Sequence, residues 1–151
     1  MANKKMTESL QTVLTELLRQ ADEQLIQSRI FAGMGYGRLA DKYAECAEAE
    51  RGLAVKCIDR LLALGCDVKL EAKQNGFVCS DPVKWLKHEV EVSEARLVWL
   101  KKVMEAACAD YTTYEILKAY YLGEEKDMYW AKWQLDVIEC IGLENWLIRQ
   151  M

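Results

Sequence analysis

Two carboxylates in Gly123-Glu124-Glu125-Lys126-Asp127-Met128 have the types and spacing to do chemistry. Leu117, Tyr120, Tyr121, Met128, Ala131 and Leu135 recur at helical spacing, and Glu124 and Asp127 fall within that apolar stripe rather than on a wet face. Glu50 does the same on an earlier stripe made by Leu39, Tyr43, Cys46, Ala54, Cys57 and Leu61. A buried carboxylate is costly unless a cation, a hydrogen-bond network or a metal compensates it. The three acids are therefore expected to converge inside a helical bundle and to form either a metal site or a polar network there. Three carboxylates can hold one hard or borderline cation with waters. Arg96, Lys101, tyrosines and buried water could equally satisfy them without metal.

The other reactive residue types say less. Cys46, Cys57, Cys66, Cys79, Cys108 and Cys140 contain no Cys-x-x-Cys pair. Cys46, Cys57 and Cys108 lie at apolar positions, where a free thiol packs as a small hydrophobe. Cys66 and Cys79 flank one loop, which leaves a metal or redox role open to them. His88, the one histidine, lies on a Lys- and Glu-rich helix face and reads as solvated. Tyr120, Tyr121 and Trp130 read as packing residues, with electron donation an alternative only beside a metal.

The elements that must position these residues are helices. A chain of 151 residues with one proline and eight glycines, rich in Ala, Leu, Glu and Lys, reads as one all-α domain over 1–151. Net charge −4 with interspersed signs gives no basic stripe, so nucleic acid is not an expected partner. No apolar run approaches the ~20 residues of a membrane span. The polar Met-Ala-Asn-Lys-Lys start does not read as a signal peptide, so a cytoplasmic location is expected.

Periodicity predicts helices over about Thr7–Phe31, with Leu10, Leu14, Leu17, Leu25 and Ser28 inward, and over Leu39–Leu64. A third is predicted from Ser80-Asp81-Pro82, a cap followed by proline, to about Ala109. Its stripe is Leu86, Val90, Ser93, Leu97, Leu100, Met104 and Ala107. Thr112 with Glu115 fits a capping box opening a fourth helix that runs to about Cys140. Gly142 ends it, and Leu143 to Ile148 forms a short fifth. The connections run short, long, short, which means two antiparallel hairpins joined by one crossover along the bundle.

The chain resembles bacterioferritin, of the ferritin-like superfamily. The likeness rests on Arg29-Ile30-Phe31 leading to Gly35 and Arg38-Leu39, on Asp59-Arg60-Leu61-Leu62, and on Glu124-Glu125 through Trp130 to Leu135-Asp136-Val137-Ile138. Gly142-Leu143-Glu144-Asn145-Trp146-Leu147 is its most specific part. The resemblance implies a ferritin-like four-helix bundle with a short C-terminal helix, assembling into a hollow iron-storage shell. It also implies a di-iron ferroxidase centre of one Glu from each of two helices and a Glu-x-x-His from each of the others.

Carried over by position, that centre is depleted. Glu50 and Glu124 match the bridging glutamates, but Leu53 and Asp127 stand where their histidine partners belong. Leu17 and Ser93 fall at the remaining glutamate positions. Glu16 and Glu94 are adjacent, but a neighbouring helical residue points about 100° away. The implied metal set is thus Glu50, Glu124 and Asp127, with iron mono- or dinuclear and weakly held. Arg51 occupies the methionine position that binds haem between two subunits, so haem is disfavoured; an Arg there could instead pair with an acid or propionate across that interface.

The expected function is a bacterioferritin-like iron-storage subunit with an incomplete ferroxidase centre. It would act in a homo-oligomer or a mixed cage with a competent subunit. Ferroxidase activity, the enzyme expected of the family, is impaired on this reading. A metal-dependent oxidase with a rearranged site and a metal-free helical interaction protein are the alternatives.

Overall fold

Asn3, Asp81 and Asp110 each place a side-chain oxygen on backbone N–H groups that no helix carbonyl can reach, and three of the helices start there. The computed structural model describes residues 3–151. Its elements are α1 (Lys4–Gly33), α2 (Gly37–Ala63), α3 (Pro82–Ala106), α4 (Tyr111–Ile141) and α5 (Leu143–Ile148). Asp110 accepts from the Thr113 N–H, so α4 begins at Tyr111 and the capping box expected at Thr112 is displaced by an acid two residues earlier. Gly142, at φ 82°, turns the chain from α4 into α5 in a conformation that a side chain would strain.

α1 pairs with α2 and α3 with α4, and the hairpins meet through α1 against α3 and α2 against α4. Arg60 ties the end of α2 to the start of α4, donating to both Asp110 oxygens at 2.8 and 2.9 Å and to Thr113 Oγ1 at 3.1 Å. The crossover between α2 and α3 has no secondary structure, so its backbone groups must find partners elsewhere. They find them along α1. Gln11 bonds Lys69 at both its N–H and C=O, Thr15 donates to Glu71, and Asp22 pairs with Lys73. Glu23 accepts from the Phe77 N–H, and Gln27 bonds Cys79 at both N–H and C=O. From Gln11 to Gln27 the strap climbs about 24 Å of helix.

Gly76 is required where the strap passes Glu23. A Cβ there would lie 2.7 Å from Glu23 Oε2, which Arg19 and the Phe77 N–H already hold. Gly76→Ala is expected to destabilise the fold by about 1–2 kcal/mol, read as a lower chemical-denaturation midpoint at unchanged slope. A midpoint equal to that of the parent would show that Glu23 is not held as described.

The interior is apolar at both ends and polar in the middle. One cluster gathers Leu10, Leu14, Leu17, Leu61, Leu100 and Leu117; the other gathers Phe31, Tyr43, Trp85, Leu86, Ala131 and Trp146. On every long helix the residues between the clusters are polar: Gln20, Gln24 and Gln27 on α1, Glu50 on α2, Ser93 and Arg96 on α3, Glu124 on α4. The glutamines reverse the hydropathy of α1 at this level. Leu25, expected in the core, is 47% exposed because Gln24, Gln27 and Ser28 take the inward positions. Cys108, also expected at a packed position, is exposed just past the end of α3. Cys66 packs at the first cluster and Cys79 at the second, and all six thiols are free. α5 packs on its own bundle, with Trp146 1% exposed.

Candidate functional site

The polar layer is organised by Glu124, whose stripe position sends its carboxylate into the bundle centre. Gln20 Nε2 on α1 donates to one oxygen at 3.0 Å. Ser93 Oγ on α3 donates to the other at 2.9 Å, together with a short bond from Arg96. Tyr120 donates to Gln20 Oε1, which fixes the amide so that its NH2 faces Glu124. Arg96 is 7% exposed, and its second nitrogen donates to Glu16 at 2.9 Å. Arg19 then joins Glu16 to Glu23, so alternating charges lead from the core to the crossover strap. Burial alone would lower the Arg96 pKa, but Tyr120, Glu124 and Glu16 outweigh it and hold the guanidinium charged. Burial likewise opposes ionisation of Glu16, and Arg19 and Arg96 overcome it.

Two further acids lack such a cation. Glu50 is 7% exposed and its Oε2 has no hydrogen-bond partner. Burial, then the charges of Glu124 and Glu89, push its pKa well above the usual carboxylate range; Arg96 offsets this only partly. Glu89 on α3 accepts at both oxygens from Gln24 Nε2, at 3.2 and 3.3 Å, leaving Gln24 Oε1 unpartnered. Burial and Glu124 push Glu89 up to about 8. Burial thus opposes ionisation of both acids.

Sequence reasoning brings Glu50 and Glu124 to this layer. Asp127 does not join them: its side chain is 36% exposed, Lys42 donates to it at 2.9 Å, and the Cys46 thiol lies at 3.7 Å. Asp127 lies one turn beyond Glu124 at the stripe's edge, and Lys42, its ammonium 4.8 Å from the centre of the Trp130 ring, draws the carboxylate aside. Among the described residues no three His, Cys, Asp or Glu side chains group as a metal site. Glu89 and the paired glutamines were missed. Glu89 is signalled by its spacing, since Glu89, Ser93 and Arg96 share one face of α3 at i, i+4 and i+7.

The donor set does not fit a two-iron centre. Leu17 is fully buried in the first cluster, and Leu53 packs against the same cluster. Ser93 and Glu124 are committed to each other, and both Glu124 oxygens carry donors. Lys101 is exposed and takes no part, whereas Arg96 supplies the cation. Glu94 lies outside and pairs with Lys132. His88, expected in water, is half-buried with its ring centre 4.2 Å from that of Phe77, and burial lowers its pKa. Arg51 is exposed and bonds Asp22 of its own chain at 2.9 Å, because α1 and α2 are neighbours in the hairpin.

Comparison with known proteins agrees with the architecture. The ferritin-like domain of the ferritin family matches residues 7–141. The chain is 30% identical over 154 aligned positions to the bacterial ferritin of Neisseria meningitidis serogroup B, spanning 99% of this chain and 98% of that one. It is 28% identical to the bacterial ferritin of Synechocystis sp., over 94% and 93% of the two chains. The bacterial ferritin of Pseudomonas aeruginosa is 29% identical over 94% of each.

Proposed function

Given that the chain belongs to the ferritin-like domain family, we propose that it is a cytoplasmic iron-storage subunit that supplies shell rather than ferroxidase chemistry. It would work in a cage, either with its own copies or mixed with a competent bacterial-ferritin subunit. The observation that carries this reading is the guanidinium of Arg96 on Glu124, with Ser93 donating to the same oxygen and Gln20 to the other. Fast ferroxidation needs two ferrous ions close together so that oxygen takes electrons from both. Here one glutamate already has a permanent cation, and the other, Glu50, is buried where its surroundings oppose ionisation. A second and third cation would enter a low-dielectric interior against Arg96, at a cost the few remaining donors do not offset.

The near full-length coverage of the bacterial ferritins supports the storage role, and the depleted donor set supports the loss of oxidation. Iron is cargo on this reading, and its oxidation falls to the partner subunit. The test is stopped-flow mixing of the purified protein with ferrous iron in oxygenated buffer. The expected progress curve is slow and without saturation, no faster than an exposed acidic surface produces. A rapid phase saturating at two irons per subunit, and abolished in Glu124→Ala, would overturn the proposal. Co-expression with a complete bacterial ferritin tests the mixed cage: both chains should elute together at cage size, and separate elution counts against it.

A further inference from the structure

A second concave site lies away from the polar layer, between the first turns of α2, the last turns of α4, and α5. It encloses about 550 Å3, within the roughly 300–1,000 Å3 of small-molecule pockets. Arg38, Lys42, Trp130, Trp133, Trp146 and Arg149 give it three cations and three indoles. Trp146 forms a fixed floor, sealed in the core with its Nε1 donating to Gln134 at 2.9 Å. Trp133 is 64% exposed and stands in the wall with no packing role in either core cluster.

The cations differ in availability. Lys42 is committed to Asp127 and to the Trp130 ring. Arg38 and Arg149 are exposed and form no ion pair among the described residues. Both line the groove, and the Arg38 N–H donates to the Gln150 carbonyl at 2.9 Å, so the two chain segments that carry them are adjacent. Asp41 and Glu45 line the groove farther along α2 and repel an anion there, which leaves the arginine end as its seat. Paired guanidinium groups match the oxygens of a phosphate, and indole faces match a flat aromatic ring.

We propose that this groove binds a planar aromatic phosphate of the nucleotide type, its ring against Trp133 and its phosphate between Arg38 and Arg149. The site is independent of the ferroxidase question, since none of these residues belongs to the Glu124 network. Flavin mononucleotide is a suitable probe because stacking on indole quenches flavin emission. Titrated with the intact assembled protein, it should show saturable quenching at one flavin per chain. Riboflavin, which lacks the phosphate, should bind at least about tenfold more weakly, the loss of about 1.4 kcal/mol or more. Trp133→Ala should abolish the quenching. Arg38→Gln with Arg149→Gln should reduce the flavin mononucleotide affinity to that of riboflavin. All three side chains are exposed, so an unchanged thermal melt and elution volume verify that the variants fold and assemble. Absence of saturable quenching overturns the proposal, as it would if a second copy of the chain covers the groove. Equal binding of riboflavin, or indifference to either substitution, overturns it too.

Discussion

Replacing Arg96 by Ala is expected to lower the melting temperature by about 10 °C. Removing one member of a buried ion pair leaves its partner uncompensated and costs about 3–5 kcal/mol, and each kcal/mol moves the midpoint of a domain this size by roughly 2–4 °C. Arg96 is 7% and Glu124 6% exposed, so solvent does not replace the lost guanidinium. Glu16 loses a donor in the same substitution, while Arg19 remains to hold it. The effect should reside in charge rather than in packing. Arg96→Met combined with Glu124→Gln removes both charges at similar volume and should recover most of the loss, because an apolar or neutral pair often matches a buried ionic one. Calorimetric or fluorescence melts at pH 7 decide it. A single mutant within about 3 °C of the parent would mean that Arg96 is not the cation sustaining this core, and with it the argument against a bound metal pair would fall.

Raising the pH should destabilise the protein through Glu50 and Glu89. Glu89 titrates near 8 in the folded chain, and Glu50 well above its ordinary range. Below the ordinary carboxylate range both the folded and unfolded chains carry these protons, and no penalty exists. As pH rises the unfolded chain releases them first, so unfolding releases protons and stability falls until the folded groups have titrated as well. Glu124 and Glu89 oppose ionisation of Glu50 and Arg96 favours it; Glu124 and Glu23 oppose ionisation of Glu89, which the Gln24 amide and Arg96 favour. The melting temperature is expected to fall by about 5 °C between about pH 6 and pH 9. The double variant Glu50→Gln with Glu89→Gln should flatten that slope and melt higher than the parent at the alkaline end. An unchanged slope in the variant would place the titration elsewhere. The acid limb runs the other way: Glu16 and Asp22 are held below their ordinary values by their cationic partners, and Asp110 by the Thr113 N–H and then Arg60, so their stabilisation is lost as pH falls through those lowered values.

The helices, their order and their connections were legible because each rests on local chemistry. Apolar spacing marks the four long helices, Asp81-Pro82 marks the start of α3, and Gly142 marks the end of α4, with boundaries displaced by only a few residues. Short and long connections then leave little choice of topology. Glu50 and Glu124 were legible as buried acids because both lie on an apolar stripe. Residues at a stripe's edge were not. Asp127 is three positions from Glu124, where a helix has turned about 300°, and a small rotation decides whether the side chain faces in or out. Lys42, brought from a different helix, decided it. Leu25 gave way to Gln24 and Gln27 because the crossover strap and Glu89 need side-chain partners, a demand invisible to the period of α1 alone. The pairing of Arg96 with Glu124 joins residues that are 28 positions apart. Sequence spacing marks Glu124 as a core position, whereas Arg96 lies outside the apolar stripe of its helix and stands beside Lys101 as one of two candidate cations; only the packing of α3 against α4 makes Arg96 the counter-ion, because a buried charge takes its meaning from what lies within a few ångströms of it.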